Sequence, residues 1–252
     1  MAEARLSLVI PCYNESANLP LLAERCAALM EAAPVQPILV DNGSTDDSPQ
    51  VLSDLIAGQP GIKSVRVPVN QGYGYGILEG LRAASTEWIG WTHADLQTDP
   101  MDAVAALEAL DASSQQGDRG RVYVKGWRYG RPMADRIFTG GMSIFTSALF
   151  GTSLRDVNAQ PNIFHRDFLA TWQDPPHDFS LDLFALVMAR RQGLTLKRFP
   201  VRFGERAHGT SHWNVDWRSK VKFIRRTVDF SFELRRRPDM RGTPPPTETP
   251  GP

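Results

Sequence analysis

Leu6-Ser-Leu-Val-Ile10, followed at once by Pro11-Cys-Tyr-Asn-Glu-Ser-Ala-Asn18, is the stretch whose reading decides the fold. A nearly unbroken apolar run suits a strand covered on both faces, as in a parallel sheet flanked by helices. The polar loop after it opens a helix. Leu19, Leu22, Cys26, Leu29 and Met30 recur at helical spacing, so residues 18–32 form that helix, and Pro34 and Pro37 break it.

The same unit repeats along the chain. A short strand over Ile38–Val40 ends in Asp41-Asn-Gly-Ser44, and Ser44 and Asp46 are plausible caps for a helix running to about Ile56. Ser64–Val67 is a third strand, and the glycine-rich Asn70-Gln-Gly-Tyr-Gly-Tyr-Gly76 opens a helix through Ala84. Trp88–Thr92 is a fourth strand. A helix over Pro100–Leu110 follows, then a loop over 112–120 and a fifth strand over Val122–Lys125. This alternation specifies an α/β fold with a mostly parallel central sheet. Ligands of such sheets sit at the carboxyl ends of the strands. The polar clusters Asn14/Glu15, Asp41/Asn42, Asn70 and Asp95/Gln97 all fall there. The second half is less regular, with helices expected over 134–150, 179–192 and 216–237 and a strand over 194–199. From Pro238 on, the composition reads as a disordered tail.

Bulk properties exclude several classes. The chain has 252 residues, enough for one large α/β domain, and 28 basic residues balance 28 acidic ones. A zero net charge gives no global case for nucleic acid. Cys12 and Cys26 form neither a metal pattern nor a disulfide framework, which suits a reducing compartment. Leu6–Ile10 is too short for a secretory h-region, and no apolar run approaches the ~20 residues needed to span a bilayer. The expectation is a cytoplasmic protein, soluble or peripheral on a membrane.

Two constellations carry chemistry. Asp95 and Gln97 lie two residues apart just past a strand end, where a carboxylate and an amide oxygen can share one hard cation. Mg²⁺ takes one or two protein oxygens and completes its shell with substrate phosphates. The alternative is that Asp95 and Asp99 cap the following helix. The glycine-rich loop does not match the dinucleotide fingerprint, since counting from Gly74 the last glycine position holds Glu79. It can still bring backbone close to a nucleotide, with Asn70 and Gly72 as candidate donor contacts. Asp41 is placed to hydrogen-bond a base or ribose, or to build the turn at Asn42-Gly43. Arg128, Arg131, Arg202 and Arg206 fall in loop-like segments, where arginines either clamp phosphate or are simply solvated.

Taken in order, Leu8-Val-Ile-Pro-Cys-Tyr-Asn-Glu15, Leu39-Val-Asp-Asn-Gly-Ser-Thr-Asp46, Asn70-Gln-Gly-Tyr-Gly74 and Ala94-Asp-Leu-Gln97 resemble the family 2 glycosyltransferases. The nearest branch is that of the dolichyl- or polyprenyl-phosphate sugar synthases. The likeness continues through Gly126-Trp-Arg128-Tyr, Asp178-Phe-Ser-Leu-Asp182 and Arg206-Ala-His-Gly-Thr-Ser211, so it spans roughly residues 5–235.

The resemblance implies a GT-A, Rossmann-like nucleotide-sugar fold over residues 1–215 and inverting transfer from a GDP- or UDP-sugar to a polyprenyl phosphate. Pro11, Tyr13, Glu15 and Asp41 match nucleoside-binding positions. Asp95 and Gln97 match positions for a divalent cation, Mg²⁺ or Mn²⁺. Arg128 and Arg206 match basic positions facing the donor diphosphate or acceptor phosphate, and Ser211 matches a serine in a loop closing over the donor. If the acceptor is instead a hydroxyl of a lipid, glycan or small molecule, Asp178 or Asp182 is the candidate base. His93 stands where this branch often has Asp, so an imidazole joins the possible metal ligands. Asn42 replaces a frequent second Asp, and His212 a common Lys. A nucleotide-sugar-binding protein without catalysis is the remote alternative.

Residues 216–237 carry eight basic and three acidic residues among dispersed apolar ones. That composition suits a helix at an anionic membrane surface, or equally a core-packing helix with a solvated basic side. A lipid substrate would then be reached peripherally or through a membrane-protein partner.

Overall fold

The computed structural model describes residues 3–115, 120–204 and 217–237. The strands are β1 (Leu6–Cys12), β2 (Val35–Asn42), β3 (Lys63–Val67), β4 (Trp88–Trp91), β5 (Val122–Tyr129), β6 (Asn162–His165) and β7 (Thr195–Arg202). The helices are α1 (Leu19–Ala32), α2 (Ser48–Ala57), α3 (Tyr73–Ala83), α4 (Asp102–Gln115), α5 (Met133–Phe150), α6 (Arg166–Ala170), α7 (Leu181–Arg191) and α8 (Trp217–Arg236). The strands form one sheet in the order β3-β2-β1-β4-β6-β5-β7. β1 runs parallel to β2 and β4, and β5 parallel to β7, while β6 alone is antiparallel to its neighbours.

Side chains of a strand alternate between faces, and both faces here are apolar. Val9, Ile38, Val40 and Trp91 pack under α3 and α7 with Ile77, Leu81, Leu181 and Phe184. Leu8, Ile10 and Leu39 pack on the other face with Leu22 and Leu29 of α1 and Leu107 and Leu110 of α4. The three-layer α/β arrangement expected from the alternation is therefore present.

The differences from the sequence expectation have local causes. β2 begins at Val35 and contains Pro37, which was expected only to break a helix. β3 pairs with β2 only from Ile38 onward, so the proline sits where β2 lacks a partner on that side. α2 starts at Ser48 instead of after Ser44, with Asp46 accepting the Ser48 amide at 3.0 Å. α4 runs five residues past Leu110, and β5 continues to Tyr129 through Lys125, Gly126 and Arg128. β6 and α6 have no counterpart in the sequence reading.

α8 buries Phe230, Ser231 and Leu234, and Phe230 and Leu234 belong to the core that includes α7. The core-packing reading of this helix is thus realised on that face. Among the described residues no helix is long and apolar enough to cross a membrane. Arg206, Ser211 and His212 and the tail expected over 238–252 lie outside the described residues.

At Gly80 α3 lies directly against the sheet, where an added Cβ would lie 2.3 Å from Val9 Cγ1 and 2.9 Å from Val40 Cγ2. Gly80→Ala is expected to lower stability by about 1–3 kcal/mol through overpacking, despite the better helix propensity of alanine. Urea unfolding should show a lower midpoint with an unchanged slope.

Candidate functional site

The loops leaving β1 and β2 are stitched together by backbone and short side chains. Asn14, at φ 54°, receives the Thr45 amide on Oδ1 at 2.8 Å, and its own amide donates to Ser44 Oγ at 3.1 Å. The Glu15 amide donates to Ser48 Oγ at 2.9 Å. Asp41 pairs in register with Cys12, is buried, and accepts the Ser44 amide at 3.0 Å, with Arg66 Nε 3.6 Å from its other oxygen. Pro11, Tyr13, Glu15 and Asp41 are thereby gathered at the adjoining ends of two parallel strands. Tyr13 is exposed there. The turn role of Asp41 is realised, and it leaves the residue on the same edge.

The glycine-rich loop is completed by a segment more than a hundred residues later. Asn70 Oδ1 accepts the Gly72 amide at 2.8 Å, and Asn42 Nδ2 donates to the Gly72 carbonyl at 3.0 Å. Gly72 has φ 114°, and a Cβ there would lie 2.3 Å from the His177 carbonyl oxygen. A Cβ on Gly74 would meet the carbonyl oxygens of Pro176 at 2.6 Å and Asp178 at 2.7 Å. The Tyr75 amide donates to the His177 carbonyl at 3.0 Å. The glycines therefore serve a close approach between two loops. Above them Tyr73 stacks on Phe179 with ring centres 4.5 Å apart, and the His93 ring lies 5.6 Å from Tyr73.

His93, Asp95 and Gln97 follow β4. Asp95 is 7% exposed, and its Oδ1 accepts the Gln97 amide at 3.2 Å across Leu96, which has φ 57°. Gln97 reaches the end of β7: its Nε2 donates to the Gly204 carbonyl at 3.2 Å, and the Gly204 amide donates to its carbonyl at 2.8 Å. The capping alternative holds for Asp99, which accepts the Met101 amide at 2.9 Å and pairs with Arg25. Asp95 instead braces its own turn. Among the described residues no three His, Cys, Asp or Glu side chains converge as a cation cage. A single buried carboxylate with an amide beside it fits a hard cation that takes most of its ligands from phosphate and water. Burial pushes the Tyr73 phenol well up, with the charges of Asp182 and Asp95 adding to the shift.

Arg128, at the same sheet edge, is held by Asp156. Its amide donates to Oδ2 at 2.8 Å, and Nε and Nη2 donate to Oδ1 at 3.0 and 2.5 Å. Arg131 Nη2 lies 3.5 Å from the same oxygen, and the Arg128 guanidinium lies 5.1 Å from the Phe203 ring centre. A carboxylate thus occupies the fork that the sequence reading assigned to a phosphate.

Asp178 and Asp182 separate in environment. Asp178 is 40% exposed in its side chain, accepts the Ser180 amide at 2.9 Å and pairs with Arg226 Nε of α8 at 3.3 Å. Asp182 is 2% exposed. Its Oδ1 accepts from Gln160 Nε2 at 2.8 Å, Asn162 Nδ2 at 3.1 Å and Trp91 Nε1 at 3.3 Å. The sequence reading missed Gln160, Asn162 and Lys125. Lys125 is fully buried, and its Nζ donates to Asn162 Oδ1 at 2.5 Å and the Ala159 carbonyl at 2.7 Å. A lysine directly after the apolar run Val122-Tyr-Val124 was the available signal.

A model of the family described as "Glycosyl transferase family 2" matches residues 7–172. The chain belongs to glycosyl transferase family 2. An undecaprenyl-phosphate 4-deoxy-4-formamido-L-arabinose transferase from Edwardsiella ictaluri is 27% identical over 83% of this chain and 63% of the relative. The protein of that name from Yersinia enterocolitica is 38% identical over 38% of this chain and 30% of the relative. The family 2 chain thus spans less than two thirds of these relatives.

Among solved structures, glucosyl-3-phosphoglycerate synthase from Mycobacterium tuberculosis, in complex with Mn²⁺, UDP and phosphoglyceric acid, superposes with a TM-score of 0.68. It is 20% identical, over 94% of this chain and 80% of that one. A mannosyltransferase from Pyrobaculum calidifontis, in complex with GDP-mannose and Mn²⁺, gives a TM-score of 0.63 at 18% identity, over 97% of this chain and 67% of that one. The fold is GT-A, as the resemblance implied.

Burial acts to raise the pKa of Asp156, but the charge and hydrogen bonds of Arg128 and then Arg131 outweigh it and hold the carboxyl below the ordinary range. A folded-state pKa below the unfolded value of about 3.9 contributes stability that is full above that value and lost as pH falls through the folded one. Unfolding midpoints of wild type and Asp156→Asn, measured against pH, should therefore differ most near neutrality and converge below about pH 4. Parallel curves would show that the ion pair contributes nothing.

Proposed function

We propose that the chain is an inverting glycosyltransferase that moves a sugar from a UDP- or GDP-sugar to a polyprenyl phosphate, at the cytoplasmic face of a membrane. One observation carries the reading. Asp41 at the end of β2 and Asp95 just after β4 flank β1 on the carboxyl edge of the sheet, where the strand order turns back on itself. That crevice is where α/β sheets take nucleotides. Asp41, Pro11, Tyr13 and Glu15 form the nucleoside end, and Asn70 and Gly72 shape its floor. Asp95, with Gln97 and His93 beside it, would hold Mg²⁺ or Mn²⁺ against the diphosphate. The cation would neutralise charge that builds on the leaving group. Arg128 supplies a fixed positive charge on the same edge, and Arg206 and Ser211 are assigned the phosphate-facing roles that the family resemblance implies.

The names of the curated relatives support the lipid-phosphate acceptor. So does α5, whose Met133, Ile137 and Ile144 are exposed on one helical stripe. A phosphate acceptor is already anionic and needs no base, so neither Asp178 nor Asp182 is required to take a proton. A hydroxyl acceptor is the second reading, favoured by the partly exposed Asp178 at the mouth of the glycine loop.

Thermal unfolding with UDP- and GDP-sugars, with and without Mn²⁺, tests the donor, because a ligand of the native state raises the midpoint by mass action. Asp95→Asn should abolish the metal-dependent part of that shift. It should also lower kcat/KM for transfer to undecaprenyl phosphate by ~10²-fold or more. Asp178→Asn should retain transfer within about tenfold, since general-base catalysis is worth ~10²–10⁴-fold. A loss of that larger size in a folded variant would establish the hydroxyl reading.

A further inference from the structure

Two opposite charges lie beneath the crevice, and the transfer chemistry uses neither. Lys125 on β5 is fully buried and Asp182 on α7 nearly so, and Asn162 of β6 stands between them. Its Oδ1 accepts from Lys125 Nζ and, at 3.0 Å, from the Tyr123 hydroxyl. Its Nδ2 donates to Asp182 and, at 2.6 Å, to Gln160 Oε1. The two ions thus fix the orientation of one amide from its two ends. Burying either ion alone would leave an uncompensated charge in the core, far costlier than burying both within one hydrogen-bonded set.

Asp182 is poorly placed as a base. One of its oxygens already holds three donors, and a base must reach the proton it removes. What it does hold is the first turn of α7. The residues just before that turn, Pro176–Ser180, meet Gly72 and Gly74, accept the Tyr75 amide and stack Phe179 on Tyr73.

We infer that Asp182 is a positioning residue: tied to Trp91, Gln160 and Asn162 and balanced by Lys125, it pins α7 to the sheet and so holds 176–180 as a wall of the donor crevice. The inference rests on the proposed function only for the identity of the ligand behind that wall. A single docking of α7 satisfies all these bonds, so a slip of the helix along the sheet breaks them together.

The test uses the full chain with Asp182→Asn, Lys125→Met and the double variant. Burial pushes the Lys125 ammonium down to about 7, so work at pH 6 keeps it charged. The charged groups facing it are Asp182 from α7, Arg198 from β7, Arg128 from its own strand and Asp156 from the loop before β6. Each single substitution should lower the unfolding midpoint, and the double variant should regain much of the loss, as coupled neighbours do. Amide exchange over 176–180 and 70–76 should quicken in Asp182→Asn relative to the rest of the sheet.

UDP or GDP affinity should fall about tenfold while kcat at saturating donor stays within about tenfold. Additive losses in the cycle, or unaltered exchange over 176–180, would overturn the inference. So would a thousandfold loss of kcat with binding intact, which would make Asp182 catalytic. If Asp182→Asn does not fold, Gln160→Met removes the shortest bond to the carboxylate and keeps both charges. It should quicken the same exchange, and unchanged exchange there overturns the inference as well. Cycle and exchange need no nucleotide, so a chain that passes both yet binds neither UDP nor GDP would refute the transferase reading and leave the anchor standing.

Discussion

β1 is hydrogen-bonded on both sides by parallel strands, Leu6–Cys12 against Val35–Asp41 and Leu6–Val9 against Trp88–Trp91. Parallel pairing puts the exits of all three strands on one edge, and a one-residue slip would send each buried side chain to the wrong face. Since both faces are apolar, the register is fixed from both sides. The positions of Asp41 and Asp95 follow from it. Neither residue needs a long-range bond to find its place, because each sits within a few residues of a strand end that cannot move.

That constraint also separates what could be read from the sequence from what could not. The first half was legible because strand, loop and helix alternate over short distances and the chemistry-bearing residues sit at strand ends. Pro11, Tyr13, Glu15 and Asp41 come together, as do His93, Asp95 and Gln97. In the second half the helices over 134–150, 179–192 and 216–237 and the strand over 194–199 were legible too, as α5, α7, α8 and β7, while β6 and the far end of β5 were not, for a physical reason. β6 is four residues long and carries a buried asparagine, and past Val124 β5 runs through Lys125, Gly126 and Arg128, so neither stretch shows an apolar period. Their polar side chains are satisfied by residues distant in sequence, Lys125 by Asn162, Asn162 by Asp182 of α7 and Arg128 by Asp156 of the loop before β6, and no local pattern reports such a partner.

The two aspartates before and in α7 show the same limit. At the level of sequence Asp178 and Asp182 are equivalent candidates for one role. Four residues apart around the start of α7, the first pairs with Arg226 of α8 at a half-exposed position and the second is buried against the sheet, so their environments diverge completely. Arg128 is a similar case. Its type and position announced an anion partner, while the structure supplies one from Asp156, so a phosphate arriving there would compete with a carboxylate already in place.

The meeting of Gly72 and Gly74 with Pro176–Asp178 sets a rule for anyone who would move this crevice onto another α/β scaffold. The portable part is not the glycine loop, although it is the piece that looks like a motif. It is a pair of segments from distant parts of the chain, together with the buried residues that dock the second. A graft of 70–76 alone would carry two glycines shaped to a neighbour that is missing, and their freedom of backbone would then work against order in the new host. A bulkier residue at Gly72 or Gly74 would therefore call for a compensating change in 176–178.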